Sequence, residues 1–203
     1  MVVVDDHSSD RTKEVAEGLG ATVIRHEVNR GVGAAIRSGI LFVRDAGCDA
    51  VVILSGDDQH EPSELPRVLE PIHEGRFDFV QGSRRLPGGR AVGINAFRRV
   101  TTFAYALVFR LVTGFPCTDA TNGFRAFRLS MIDDPQIRIE QEWLDRYELE
   151  PYLLYKAVKT GKRICEVPIT IRYHDQGTTK MRPVRDWWLI FRPLVYLALG
   201  MKQ

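Results

Sequence analysis

Cysteine is scarce in this chain. Cys48, Cys117 and Cys165 stand far apart in 203 residues, and no two form a CxxC pair. That spacing implies neither a disulfide framework nor a cysteine metal site. Buried, reduced thiols are expected instead. Long hydrophobic runs are missing too. No uninterrupted stretch reaches the ~18 apolar residues of a membrane-spanning helix. The chain opens on Met1-Val2-Val3-Val4 without a basic-then-apolar leader, so a cytosolic location is the default expectation. A dominant charge is also absent: 28 Lys and Arg against 26 Asp and Glu leave a net +2. So balanced a chain gives no argument for a nucleic-acid partner. No repeat and no low-complexity linker interrupts it. The length suits one domain with a substantial core.

What is present centres on Val51–Glu61, VVILSGDDQHE. Four apolar residues, Val51 to Leu54, read as a buried strand that stops at Ser55-Gly56. Asp57, Asp58, Gln59 and His60 follow, and Pro62 marks a helix start. Open α/β sheets bind ligands where a buried strand ends and turns into a helix. Hard oxygen donors there suit a divalent cation carrying a diphosphate. The competing reading is an acidic turn that faces water.

The flanking pattern is β-α-β-α-β-α-β. Strands are expected at Val2–Val4, Thr22–Ile24, Val51–Leu54 and Phe77–Val80, as adjacent members of a mostly parallel sheet. Helices are expected at Arg11–Gly18, Ala34–Ala46 and Glu64–Glu74, the first capped by Ser9 or Asp10. Beyond Ser83 the pattern predicts a mobile glycine-rich loop over Leu86–Gly93 and an amphipathic helix over Ala96–Thr113. A turn and short strand in Thr118–Arg128, a long helix over Glu142–Thr160 and a strand over Lys162–Arg172 follow. Pro168 interrupts that last strand, which suggests an edge or bulge. Gly177–Lys180 reads as a polar loop.

These pieces resemble the family 2 glycosyltransferases of GT-A fold, most closely the dolichol-phosphate mannosyltransferase-like branch. The resemblance rests on eight segments in family order. They are VVVDDHSSDRT (Val2–Thr12), NRGVGAAIRSGI (Asn29–Ile40), GDDQHEP (Gly56–Pro62), GSRR (Gly82–Arg85), FRR (Phe97–Arg99), TDATNGFRAFR (Thr118–Arg128), EVPITIRY (Glu166–Tyr173) and GTTK (Gly177–Lys180). Two departures stand out. Family members normally begin with another strand and helix, and this chain starts at what resembles their second strand. Their metal motif is usually Asp-x-Asp-x-Gln, and here Ser55 stands where the first acid would be.

The resemblance implies a single α/β domain of GT-A type, Rossmann-like, over residues 1–181. It implies a nucleotide-sugar donor, GDP-mannose or a UDP-sugar, and a polyprenyl or dolichyl phosphate acceptor. Mg²⁺ or Mn²⁺ would sit on Asp57, with Gln59 and either Ser55 or Asp58 assisting, and Asp58 would also serve the nucleotide sugar. Asp5 and Asp6 would take the base or ribose. Asn29 and Gly31 would present the amides of the next helix to the nucleotide, although plain loop-to-helix capping explains them nearly as well. Arg84, Arg98 and Lys180 would cradle the phosphates, with Thr102 and His174 on the acceptor. Asp119, Asn122 and Arg125 would form the wall below the sugar, Asp119 touching a hydroxyl or orienting Arg125. Glu148 and Glu150 read as helix-surface charges.

A phosphate acceptor is already an anionic nucleophile, so such an enzyme needs a cationic cradle rather than a base. Transfer to a glycan or glycolipid hydroxyl is the second reading, and an inactive nucleotide-binding fragment is the third. Residues 182–203 carry Trp187, Trp188, Phe191 and Tyr196 among arginines. They read as an amphipathic segment at the cytoplasmic face of a membrane or as a helix packed on the domain.

Overall fold

The computed structural model describes residues 1–173 and 183–202, with the side chains of 183–186 left out of the description. Strand β1 (Val2–Asp5), helix α1 (Thr12–Gly18) and β2 (Thr22–Arg25) form a parallel pair with its crossover helix. Helix α2 (Val32–Asp45) leads to β3 (Ala50–Ile53), and α3 (Leu65–His73) leads to β4 (Phe79–Ser83). Then come β5 (Arg90–Val92), α4 (Ala96–Thr113), β6 (Arg125–Arg128), α5 (Leu149–Lys159), β7 (Ile164–Pro168), β8 (Thr170–Arg172) and α6 (Pro183–Ala198).

The central sheet has four strands in the order β3-β6-β4-β7. β6 runs antiparallel to both of its neighbours, while β4 and β7 pair in parallel. Strands β3, β4 and β7 therefore share one direction. This corrects the expected adjacency of the first four strands. β3 and β4 are separated by β6, and among the described residues β1 and β2 form a pair of their own. The cause is burial. β6 carries Ala126 and Phe127, both fully buried, and Phe127 stacks on Phe79 at 5.8 Å between ring centroids. Alternate residues then face opposite sides. Phe79 and Phe127 join Tyr105, Phe109 and Leu153 on the side of α4 and α5. Val80 and Ala126 join Val68, Ile72 and Ile169 on the side of α3. Each such phenylalanine contributes roughly 1.5–3 kcal/mol by leaving water.

Four local expectations change. The glycine-rich Leu86–Gly93 stretch contains β5, which pairs in parallel with β8. The single helix over Glu142–Thr160 is a short 3-10 turn at Glu142–Leu144 followed by α5. Pro151 explains the break, because proline fits only in the first turn of a helix. The Lys162–Arg172 strand divides at Pro168 and feeds two sheets, β7 pairing with β4 and β8 with β5. Of the three thiols only Cys117 is buried; Cys165 is half-buried, and Cys48 is exposed in the loop before β3. Helix α4 has the expected bounds. Asn95 caps it by accepting from the Arg98 amide at 2.8 Å, and Gly114 ends it at φ 77° in the left-handed region.

Helix α6 lies against α4 and α5, with Leu194 and Leu197 buried in the main core. Among the described residues, no helix is long and apolar enough to cross a membrane.

Candidate functional site

A cavity of about 670 Å³ opens beside the end of β3. Its lining includes Ser55, Asp57, Gln59, Arg84, Arg98, Thr102 and Arg125 from the expected site. Asp5, Asp6, Asn29, Gly31, Asp58 and Asp119 do not line it. His174 and Lys180 lie outside the described residues.

The loop after β3 is shallow and open. Ser55, Asp57 and Asp58 are exposed. Asp57 accepts from the Gln59 amide at 3.2 Å, and Asp58 sits at φ 59° in the left-handed region. What holds the loop is His60, which sequence reasoning passed over. His60 is buried. Its Nδ1 accepts from the Ser55 amide at 3.3 Å, so its Nε2–H donates to Asn122 Oδ1 at 3.1 Å. Burial pushes its pKa down from 6.5 and outweighs the Asn122 bond that raises it. A neutral ring with both nitrogens occupied pins the loop to the Asn122 segment.

The wall beneath is closely tied together. Arg84 grips Asp119 through Nε at 2.6 Å and Nη2 at 2.5 Å, and also donates to Thr121 and the Tyr173 hydroxyl. Burial works against the charge of Arg84, but Asp119 more than offsets it and raises its pKa. Asp119 thus orients Arg84, not Arg125 as the sequence reading allowed. Arg125 is fully buried and donates to the carbonyls of Glu150 and Asn122. Glu166 accepts the Thr118 and Asp119 amides from below at 2.8 and 3.0 Å.

Helix α4 supplies the far rim. Arg98 stacks over the Tyr173 ring at 4.9 Å. Thr102 receives a hydrogen bond from Arg85, another group the sequence reading left without a role, at 2.7 Å. Glu148 is fully buried and ion-paired with Arg192 of α6, and Glu150 lines the cavity beside Arg125. Neither is the surface charge expected. Their partners come from other elements, so helical spacing alone could not reveal them.

The Asp5–Gly33 region serves its own architecture. Asp5 accepts from the Ser8 amide at 2.7 Å. Asp6 accepts from the Arg30 and Gly31 amides at 2.8 and 2.7 Å and pairs with His26. Burial raises the Asp6 pKa, but these hydrogen bonds win and lower it. The Ala34 amide donates to Asp145 O at 3.0 Å. A Cβ on Gly33 would come within 2.0 Å of Leu144 O. The N-terminus of α2 is therefore packed against 144–146, and the amides of Arg30, Gly31 and Ala34 are already taken.

Among the described residues no group of three His, Cys, Asp or Glu side chains gathers as a ready metal site. Asp57, Gln59 and Ser55 offer one carboxylate and two neutral oxygens on an open rim. That set fits Mg²⁺ or Mn²⁺ when diphosphate oxygens and water complete the shell.

A crossover sheet with an acid-bearing loop at the end of β3 and an arginine-lined rim defines a GT-A-type glycosyltransferase domain. The chain belongs to glycosyl transferase family 2, whose model matches residues 1–134. It is 33% identical over 186 residues to an undecaprenyl-phosphate mannosyltransferase of Micrococcus luteus, covering 89% of this chain and 75% of that one. It is 32% identical over 198 residues to a dolichyl-phosphate hexose transferase of Haloferax volcanii, covering 98% and 81%. Among solved structures it is similar in fold to glucosyl-3-phosphoglycerate synthase from Mycobacterium tuberculosis bound to Mn²⁺ and UDP-glucose. There the TM-score is 0.68 and the identity 18%, over 100% of this chain and 68% of that one.

Proposed function

We propose that this chain moves a hexose from a nucleoside-diphosphate sugar to a polyprenyl phosphate at a membrane surface, with inversion. The observation that carries the reading is the single cavity shared by Asp57 and Gln59 on one side and Arg98 and Thr102 on the other. The names of the two relatives support the acceptor class. Asp57, with Gln59 and Ser55, would hold Mg²⁺ or Mn²⁺, whose chemistry is to neutralise charge developing on the departing diphosphate.

The acceptor phosphate oxygen attacks the anomeric carbon as the bond to the donor's β-phosphate oxygen breaks. The nucleoside diphosphate leaves with that electron pair. No proton has to move. His60 cannot serve as a base, because its Nδ1 lone pair already accepts the Ser55 amide. Arg98 and Thr102 position the acceptor anion. Arg84 is gripped by Asp119 and contributes a fixed field rather than a free fork. Asp5, Asp6, Asn29 and Gly31 support the nucleotide side by shaping its loops.

A second reading, transfer to a hydroxyl, has one observation in its favour: the Glu150 carboxylate lines the cavity and could act as base. The test compares a water-soluble short-chain prenyl phosphate with the matching prenyl alcohol. Transfer to the phosphate alone supports the proposal. Arg98→Ala should then slow it by about one to two decades, the worth of a hydrogen bond to a charged group. Equal transfer to the alcohol, lost in Glu150→Gln, would replace the proposal with the second reading. No transfer or donor hydrolysis with any nucleotide sugar would leave the inactive-fragment reading.

A further inference from the structure

The Glu166–Tyr173 segment ends on a tyrosine that touches two of the cavity's arginines. Tyr173 directly follows β8 and is half-buried. The Arg172 amide beside it donates to Gln59 O at 2.8 Å, and its own amide donates to Val92 O at 2.8 Å. One bond ties this chain end to the Asp57 loop, and the other ties it to β5. A backbone fixed in this way limits the rotamers open to the ring. The hydroxyl accepts from Arg84 Nη1, and the Arg98 guanidinium lies over the ring at 4.9 Å. Tyr173, Arg84, Arg98, Thr102 and Thr121 all line the cavity.

A phenol has one proton to donate and two lone pairs that accept, whereas an arginine side chain only donates. The contact with Arg84 therefore uses a lone pair of the Tyr173 oxygen and leaves the phenol proton for a different acceptor. A charged donor on that oxygen also polarises the O–H and strengthens it as a donor. Arg84 does not depend on the tyrosine for its place, because Asp119 and Thr121 hold its other nitrogens. The ring serves Arg98 separately. A guanidinium over an aromatic face is held there by the ring's quadrupole and needs no hydrogen bond to stay.

We propose that Tyr173 binds the acceptor phosphate, its hydroxyl donating a hydrogen bond to a phosphate oxygen while its ring positions Arg98. This rests on the lipid-phosphate reading above and adds a neutral donor to the arginines there. The proton is shared and stays on the phenol, so no base is called for. The acceptor is favoured over the donor because the ring sits under Arg98, which with Thr102 forms the acceptor end of the cavity.

Two variants separate the two contacts. Tyr173→Phe keeps the ring and removes the hydroxyl, and Tyr173→Leu removes both. Calorimetry with a water-soluble short-chain prenyl phosphate reads binding without turnover. Tyr173→Phe should weaken that binding about tenfold, the lower end of what a hydrogen bond to a charged group is worth. Tyr173→Leu should lose about threefold more, as for a cation–π contact. In an Arg98→Ala background that further loss should vanish, because the ring has nothing left to position. Affinity for GDP or UDP with Mn²⁺ should be unchanged in Tyr173→Phe. Its denaturation midpoint should hold too, since water from the cavity can replace the phenol on Arg84. In the transfer assay the same change should raise the KM for the prenyl phosphate and leave kcat nearly as it was. Unchanged prenyl-phosphate affinity in Tyr173→Phe would overturn the proposal, and a lower denaturation midpoint beside it would make Tyr173 a structural partner of Arg84. Lost GDP and UDP affinity in place of lost prenyl-phosphate affinity would assign the hydroxyl to the donor and overturn it as well. Wild-type protein that binds no prenyl phosphate would overturn this proposal together with the acceptor reading. Tyr173-dependent binding with no transfer to any acceptor would leave the contact standing and remove the transferase reading.

Discussion

The two sides of the cavity are built on opposite plans. The wall, with Arg84, Asn122 and Arg125 backed by Asp119, is buried, and its polar groups are largely engaged within the protein. The rim, with Ser55 and Asp57, is exposed and held mainly through His60. Side chains tied up within the protein give shape and a fixed field. Side chains left to water are the ones a ligand must complete. A charged residue in a matching motif can belong to either plan, and its partners decide which.

The sharpest way to break the contrast is Asp119→Ala. It would leave Arg84 buried without its counter-charge, which costs about 3–5 kcal/mol. Chemical denaturation should show that loss before any assay is run. Asp57→Ala should do the reverse. Stability should stay within about 0.5 kcal/mol, as for exposed positions generally, while metal-supported transfer is abolished. A large fall in the denaturation midpoint of Asp57→Ala would mean that the rim is structural after all.

The smallest effect concerns His60. Its folded pKa is lowered from 6.5, so the unfolded chain takes up that proton first as pH falls. Its contribution is complete above about pH 6.5 and is lost as pH drops below it. Asp5, Asp6, Asp78 and Asp134 are lowered from 3.8 and lose theirs only in a more acidic window. Glu148, raised from 4.5 by burial, works the other way: its proton favours the folded state, and that favour fades as pH rises. His60→Gln keeps a donor for Asn122 and should cost ~1 kcal/mol at neutral pH. Its melting temperature should then depend less on pH just below 6.5 than that of the wild type. An unchanged slope would mean that His60 is not the group that titrates.

Much of the fold was legible because short apolar runs and helical spacing are local signals. β1, β2, α2 and α4 follow from them directly. The position of β6 did not follow, since Arg125-Ala126-Phe127-Arg128 looks polar at both ends and its place between β3 and β4 depends on distant partners. The break before α5 was written in Pro151 and could have been read. The candidate site was legible as a set of motifs, and eight of its residues, Asn122 among them, do meet in one cavity. Which of them are engaged elsewhere was not legible. The grip of Arg84 on Asp119 joins residues 35 apart in sequence, and the clamp on Asp6 joins residues 25 apart. No pattern of spacing reports such pairs.

The separation of β1 and β2 from the four-stranded sheet has a consequence for how the molecule opens. Among the described residues no ladder joins β1 to β3, and residues of both strands line the cavity beside α2. What ties the N-terminal unit to the rest is α2, through Arg37 on Asp145 at 2.5 Å and the amide contact at Ala34. Regions with few shared hydrogen bonds unfold as cooperative units of their own. Amides of β1 and β2 will exchange with solvent through partial openings that leave β3, β6, β4 and β7 closed, and the loops of Asp6 and Gly31 will come and go with them.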